Sequence, residues 1–161
     1  MSTNLALQPA VLAPSRAEKW YNIFMIDQSL ISQIKKVLSK ESRIKLAYVI
    51  GSVISGRVKP GSDFDLAVVV DDITKVSYDQ IYQLVSSLNF PKDLDLSIVD
   101  NESSPLFLFQ ITSTGKCIYE KSSAEKGLFE EYVMKNYYDT AHLRNIYSSY
   151  LKERFTYAHK V

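Results

Sequence analysis

Cysteine is nearly absent from this sequence, and so are charge imbalance and long apolar runs. Cys117 is the one cysteine among 161 residues, so an internal disulfide is excluded and a reducing compartment is expected. This cysteine and two histidines offer too few ligands for the usual structural zinc sites. The net charge of +1 provides no overall field that would attract nucleic acid or an anionic membrane.

Targeting signals are also missing from the start of the sequence. No apolar run approaches the length that a membrane span needs. No basic residue precedes Leu5, and Pro9 and Pro14 interrupt the apolar residues that follow. We therefore expect no signal peptide, no membrane contact and a cytoplasmic protein. Residues 1–24 lack periodicity and are expected to form a flexible extension, while residues 25–161 form a single domain with a C-terminal helical segment.

The order of periodic segments predicts an α+β (mixed α/β) fold, with a small mixed β-sheet and flanking helices. Helices are predicted where apolar residues recur every three or four positions, and strands where short apolar runs lie between turn residues. Asp139 and Thr140 are expected to divide the last helical stretch in two. The predicted helices cover residues 26–38, 78–88, 105–114 and 123–155, and the predicted strands cover residues 45–50, 63–70, 93–99 and 116–119.

The stretch from Gly51 to Asp65 has the composition of a functional site. An apolar strand leads into Gly51-Ser52, and ten residues separate Ser52 from Asp63, where a second strand begins. Since side chains alternate between the two faces of a strand, Asp63 and Asp65 project from the same face. Two neighbouring carboxylates repel each other unless a cation lies between them, and Mg²⁺ prefers such oxygen ligands. The pattern predicts that both aspartates bind Mg²⁺.

Gly51 and Ser52 would provide a place for phosphate groups. Gly51 allows the backbone to approach a phosphate closely, and Ser52 is expected to cap a short helix that Gly56 ends. The amide groups and the dipole at a helix N-terminus favour an anion. Together with the two carboxylates, these features predict a nucleoside triphosphate bound to Mg²⁺ as the substrate.

A third carboxylate is expected from the strand at residues 93–99. Asp93 and Asp95 share one face of that strand, and we choose Asp95 because it lies deeper in the apolar run. Asp95 would bind a second Mg²⁺ that activates an attacking hydroxyl, or would act as its base. The predicted reaction is in-line attack on the α-phosphorus with release of pyrophosphate. The predicted catalytic and metal-binding residues are therefore Asp63, Asp65 and Asp95.

The loop between the glycine-serine pair and the two aspartates carries further candidates for nucleotide binding. Arg57 and Lys59 would neutralise the leaving pyrophosphate, or are simply solvated loop charges. Ser62 would donate a hydrogen bond to a phosphate, or cap the turn before the strand.

The motif of glycine-serine, ten residues and D-x-D resembles that of the minimal nucleotidyltransferases of the polymerase-β-like superfamily. In detail the sequence is similar to the MntA antitoxins of HepT/MntA toxin–antitoxin pairs, through Asp95 and into the helices of residues 129–155. The resemblance implies a polymerase-β palm-like fold and an enzyme that uses ATP and Mg²⁺. It further implies AMP transfer onto a tyrosine of a HepT-like HEPN-type toxin RNase, which silences the toxin within a hetero-oligomer.

The resemblance also implies roles for single residues and leaves other functions open. The superfamily often has an arginine where this sequence has Ser55, and Arg57 or Lys59 would take over its phosphate contact. A nucleotidyltransferase acting on a small molecule such as an aminoglycoside would share the metal chemistry. A non-catalytic antitoxin would instead neutralise the toxin by burying it. DNA or RNA as a partner is not favoured, because the sequence has no basic stripe.

Overall fold

The computed structural model describes residues 28–55 and 61–158 of the chain. The predicted extension at residues 1–24 lies outside the described residues, so it stays a prediction. The strands are β1 (Ile44–Val49), β2 (Phe64–Val70), β3 (Leu94–Val99) and β4 (Lys116–Glu120). The helices are α1 (Gln28–Leu38), α2 (Ser52–Ser55), α3 (Tyr78–Ser86), α4 (Pro105–Thr114), α5 (Ser123–Asp139) and α6 (Ala141–Ala158), with a 3₁₀ turn at Ile73–Lys75.

The four strands form one mixed sheet in the order β3-β2-β1-β4. β1 pairs antiparallel with both β2 and β4, whereas β2 pairs parallel with β3. A parallel pair needs a crossover connection, and α3 lies in the chain between β2 and β3. The predicted α+β fold with a small mixed sheet is confirmed, and each predicted strand starts and ends within one residue of the observed one.

The helix boundaries follow local signals that the sequence carries. α3 begins after Ser77, whose backbone N–H donates to Oε1 of Gln80 at 3.2 Å. α4 begins at Pro105, where a missing N–H costs no intrahelical hydrogen bond. Thr140 ends α5, and its backbone N–H donates to the carbonyl of Asn136, so the predicted division of the last helical stretch is confirmed.

Two hydrophobic cores, one on each face of the sheet, hold the strands in place. The first lies between the sheet and helices α1 and α3, and it includes Leu38, Phe64 and Ile81, which are at most 1% exposed. The second lies between the opposite face and helices α4 and α5, and it includes Tyr48 and Leu108. Burying an apolar side chain of this size stabilises the fold by about 1.5–3 kcal/mol. The sheet is therefore a rigid platform for side chains at the ends of its strands.

Tyr48 brings a polar group into the second core. Its ring is 1% exposed, and its hydroxyl donates to Oε1 of the half-buried Glu130 at 3.0 Å. Burial, followed by the neighbouring Cys117 and Glu130, raises the pKa of Tyr48 far above its ordinary value. The phenol is therefore held in its neutral form by the fold.

The Tyr48→Phe variant is expected to be less sensitive to alkaline unfolding than the wild type. Because the folded-state pKa is raised, the folded protein keeps a proton that the unfolded chain loses, and stability falls as the pH rises above about 10. Because the variant lacks one hydrogen bond, its free energy of unfolding should be about 1 kcal/mol lower than that of the wild type at neutral pH. This difference should shrink at alkaline pH. Urea denaturation at neutral pH and at about pH 10.5 measures both quantities. An equal deficit at the two pH values would contradict the buried neutral phenol.

α6 lies on the outside of the molecule, and none of residues 141–155 is buried. Its first turn is joined to the body by Arg144, whose guanidinium lies 3.8 Å from the ring centroid of Tyr137 and donates to Oγ1 of Thr140 at 2.6 Å. The Tyr137 ring in turn stacks on Phe109 at 3.8 Å. None of the helices in the described ranges is long and apolar enough to cross a membrane. The exposed apolar residues of α6 are Leu143, Ile146, Tyr147, Tyr150 and Phe155.

Candidate active site

The chain turns at Gly51, directly after the last residues of β1. Gly51 has a φ of +73°, which lies in the left-handed region that residues with a side chain seldom adopt. α2 begins at the next residue, so Ser52 is the first helical residue and not the cap that the sequence predicted. Gly51 itself completes the turn after β1, so the helix begins directly at Ser52. Gly56, the predicted end of this helix, lies outside the described residues.

The register of the parallel pair places Asp65 on β2 opposite Asp95 on β3. Neighbouring strands lie about 4.8 Å apart, and paired residues share a face of the sheet. Asp63 precedes Asp65 by two residues and therefore projects from that same face. The structure thus brings the three predicted carboxylates together at one end of the sheet. The backbone N–H of Phe64 donates to the carbonyl of Asp93 at 2.7 Å, so Asp93 lies level with Asp63 at the start of the two strands, whereas Asp95 lies level with Asp65.

The carboxylate of Asp65 lies within reach of the charges of Asp95 and Asp63. Burial raises the pKa of Asp65 above its ordinary value, and the charges of Asp95 and Asp63 raise it further. Asp65 is half-buried, whereas Asp63 and Asp95 are exposed to solvent. A divalent cation between them would relieve the repulsion, and carboxylate oxygens are the ligands that Mg²⁺ prefers. The donor set therefore fits Mg²⁺.

The three carboxylates are neighbours but do not form a complete metal-binding site by their spacing alone. In the described ranges, no group of three or more His, Cys, Asp or Glu side chains is spaced to hold a metal ion. The proximity of the carboxylates rests on the strand register and on their combined effect on Asp65. The two Mg²⁺ ions expected from the sequence stay a prediction.

Gly51 lies directly against the side chain of Asp65. A methyl group placed on Gly51 would stand 2.1 Å from Oδ2 of Asp65 and 2.9 Å from its Cγ. The backbone N–H of Ile50 donates to the carbonyl of Asp65 at 3.1 Å, which fixes the two segments side by side. The sequence predicted a contact between Gly51 and phosphate, whereas the contact between Gly51 and Asp65 was not predicted. The glycine at the end of an apolar run was the one signal that pointed to it.

The remaining candidates for nucleotide binding fall into two groups. Ser52 is half-buried at the start of α2, and Ser62 is half-buried two residues before β2. Arg57 and Lys59 lie outside the described residues, so their roles stay predictions. Ser55, which stands where the superfamily often has arginine, is the last residue of α2.

Asp100 is a buried carboxylate that belongs to the framework and not to this site. It lies just beyond β3 and is 5% exposed. Its carboxylate accepts hydrogen bonds from the backbone N–H groups of Ile73 and Glu102, at 3.0 and 3.1 Å, and from Oγ of Ser103 at 3.1 Å. These bonds join the end of β3 to the turn after β2, so the charge of Asp100 is used in holding the strands.

Comparison with known proteins assigns the chain to one family. A family model described as polymerase beta, nucleotidyltransferase matches residues 32–124, which is more than half of the chain. A comparison with curated protein sequences gave no match.

Several solved structures share the fold. A chain from a toxin–antitoxin structure with AMP-PNP is 25% identical with a TM-score of 0.58, and the match covers 75% of this chain and 98% of that chain. A chain from an MntA-HepT toxin–antitoxin structure is 24% identical with a TM-score of 0.53, and the match covers 77% of this chain and 98% of that one. A complex of tri-AMPylated Shewanella oneidensis HEPN toxin with MNT antitoxin gives 23% identity, a TM-score of 0.57 and the same coverage. The predicted nucleotidyltransferase fold is confirmed.

Proposed function

This chain belongs to the polymerase beta nucleotidyltransferase family, and from that premise we propose that it transfers AMP from ATP to a tyrosine of a HepT-like HEPN-type toxin. The observation that carries this proposal is the register of Asp65 with Asp95, with Asp63 on the same face. Closely placed carboxylates of this kind bind Mg²⁺ together with the oxygens of a triphosphate. Through this modification the chain would act as the antitoxin of a pair.

The chemistry assigns a distinct task to each part of the site. Asp63, Asp65 and Asp95 would hold Mg²⁺, which when bound supplies positive charge against the triphosphate and the leaving pyrophosphate. Asp95 is exposed at the edge of this row and would take the proton of the acceptor hydroxyl. The tyrosine oxygen then forms a bond to the α-phosphorus while the bond to the pyrophosphate oxygen breaks.

The triphosphate would lie across the turn at the end of β1. Gly51 and Ser52 would hold it near the carboxylates, and Ser62 would donate a hydrogen bond from its position two residues before β2. Arg57 and Lys59 would neutralise the departing pyrophosphate, with one of them replacing the arginine that Ser55 lacks.

The surface of α6 supports a protein as the acceptor. Leu143 lies one helical turn before Ile146 and Tyr147, and the three side chains are 64%, 54% and 64% exposed. Clustered exposed apolar side chains of this size are typical of surfaces that bind another protein. The similar solved structures include a toxin–antitoxin structure with AMP-PNP and a complex of a tri-AMPylated HEPN toxin with its antitoxin. These relatives support both ATP as the donor and a toxin as the partner.

A labelling assay tests the proposal directly. The chain is incubated with Mg²⁺, a HepT-like toxin encoded beside its own gene and ATP labelled at the α-phosphate. We expect label on a toxin tyrosine and loss of the toxin's RNase activity. ATP labelled at the γ-phosphate serves as the control and should leave the toxin unlabelled, because pyrophosphate departs with that phosphate.

Two outcomes of the same assay would contradict AMP transfer to the toxin. Label on an aminoglycoside, with none on the toxin, would indicate an enzyme that modifies small molecules. Full neutralisation of the toxin in the absence of ATP and Mg²⁺ would indicate an antitoxin that acts by burying its partner.

A further inference from the structure

The space beside the Cα atom of Gly51 is filled by the side chain of Asp65. A Cβ atom at residue 51 would lie 2.1 Å from Oδ2 of Asp65, 2.9 Å from Cγ and 3.5 Å from Cβ. Distances below 3 Å between these atoms require one of them to move. The carboxylate of Asp65 therefore occupies a position that any residue other than glycine at 51 would deny to it.

The backbones at this contact cannot separate to make room. The N–H of Ile50 donates to the carbonyl of Asp65 at 3.1 Å, and Val49 pairs with Leu66 in the same antiparallel ladder. The flanking Val49 and Leu66 side chains are fully buried in the first core. The two atoms that the added Cβ would approach most closely, Oδ2 and Cγ, lie at the end of the Asp65 side chain, which can adopt another rotamer. A side chain at 51 would thus displace the carboxylate and leave the strands in place.

We propose that Gly51 is a positioning residue, which holds the Asp65 carboxylate in register with Asp95 and Asp63 for binding a divalent cation. This role differs from the phosphate contact predicted for the glycine, and it rests on the proposed function because it takes Asp65 as a ligand of Mg²⁺. The glycine acts through the absence of a side chain: the carboxylate lies over its Cα atom, within reach of the charges of the other two aspartates.

Gly61 supplies a matched control within the same chain. It has a φ of +87°, close to that of Gly51, and an added Cβ atom would meet nothing within 4 Å. Gly51→Ala and Gly61→Ala therefore carry a similar backbone cost, because each places a residue with a side chain in the left-handed region. They differ in one respect, because Gly51→Ala alone places a methyl group against a carboxylate.

The test measures cation binding by the full chain without nucleotide, so that phosphate contacts play no part. Mn²⁺ serves as the probe, with its free concentration read by electron paramagnetic resonance, and thermal unfolding is followed for each protein in parallel. We expect similar losses of Tm in the two variants, and a Kd for Mn²⁺ that rises about 10–100-fold in Gly51→Ala alone. Gly51→Asn should behave like Gly51→Ala with a smaller loss of Tm, because asparagine tolerates the left-handed region. It provides a folded variant if the alanine substitution prevents folding.

The outcomes separate this role from the others. Equal Kd values for Mn²⁺ in the Gly51 and Gly61 variants would overturn the positioning role. Weaker binding of ATP in the presence of EDTA, with unchanged binding of Mn²⁺, would overturn it in favour of a phosphate contact. Absence of Mn²⁺ binding by the wild type would overturn both the positioning role and the metal site on which the proposed function depends. Weakened Mn²⁺ binding without any labelling of a toxin would support the positioning role and contradict only the proposed acceptor.

Discussion

Asp65→Asn is expected to lower the rate of AMP transfer about 10³-fold and to leave the metal-free protein at least as stable as the wild type. Burial and the charges of Asp95 and Asp63 raise the pKa of Asp65, so the fold pays for keeping this carboxylate ionised. The uncharged amide removes that repulsion and also removes a metal ligand. Losing about 4 kcal/mol of transition-state stabilisation lowers the rate about 10³-fold.

The sign of the stability effect follows from the raised pKa of Asp65. The folded state holds the proton more tightly than the unfolded chain, so the wild type loses stability as the pH rises from about 4 through the folded-state pKa. The stability gained by Asp65→Asn should therefore be present at neutral pH and disappear below about pH 4. Urea denaturation in EDTA across this range measures it, while α-labelled ATP measures the transfer.

Asp72→Ala is the matched control, because it removes a carboxylate whose pKa is lowered by its contacts, whereas the pKa of Asp65 is raised. The side chain of Asp72 accepts hydrogen bonds from the backbone N–H and Oγ1 of Thr74, at 2.9 and 2.6 Å, and pairs with Lys75. These contacts lower the pKa of Asp72 to about 2, so its removal should lower Tm and leave AMP transfer unchanged. Transfer by Asp65→Asn at the wild-type rate, or lower stability than the wild type in EDTA, would contradict the metal-binding role of Asp65.

Phe64→Ala is expected to lower the free energy of unfolding by about 3–5 kcal/mol. Phe64 is 1% exposed, and its ring lies 5.1 Å from that of Phe90 in the core on the face opposite the carboxylates. Because Phe64 lies between Asp63 and Asp65, its packing also holds the start of β2 in register with β3. Loss of the ring should therefore weaken cation binding together with stability.

Chemical denaturation and Mn²⁺ affinity measure the two effects of the Phe64 substitutions. Phe64→Leu keeps most of the buried volume and should cost less than about 1.5 kcal/mol. Phe155→Ala removes a ring that is 66% exposed on α6 and should leave the stability nearly unchanged. A loss smaller than about 1 kcal/mol in Phe64→Ala would contradict the role of this ring in the core.

Periodicity and turn chemistry were sufficient to predict the secondary structure and the face on which the carboxylates lie. The alternation of side chains along β2 places Asp63 and Asp65 on one face of the strand, independently of how the other strands pair. Thr140 divides the last helical stretch as predicted, since it interrupts the apolar pattern at that point. The error at Ser52 arose because the left-handed turn of Gly51 depends on its contact with β2, which a linear pattern does not contain.

Contacts between distant segments could not be predicted from local sequence patterns. Tyr48 donates a hydrogen bond to Glu130, 82 residues later in the chain, and neither residue has a local feature that selects the other. The pairing of Asp65 with Asp95 depends on how the crossover through α3 sets the register of two strands. Packing of α3 against the sheet settles that register, and the same packing makes the third carboxylate a neighbour of the first two.

The outlying position of α6 has a consequence for how long the free chain would survive. A helix in a protein owes most of its stability to the packing of its apolar face, and the described side chains of α6 contribute none of the buried residues of either core. Its amide hydrogens should exchange with solvent far sooner than those of β1 and β2, because local opening there breaks few contacts. A protease would then cut α6 before it cuts the strands, and a bound toxin that covered α6 would delay that cut. Antitoxin lifetime would thereby become a measure of how much toxin is bound.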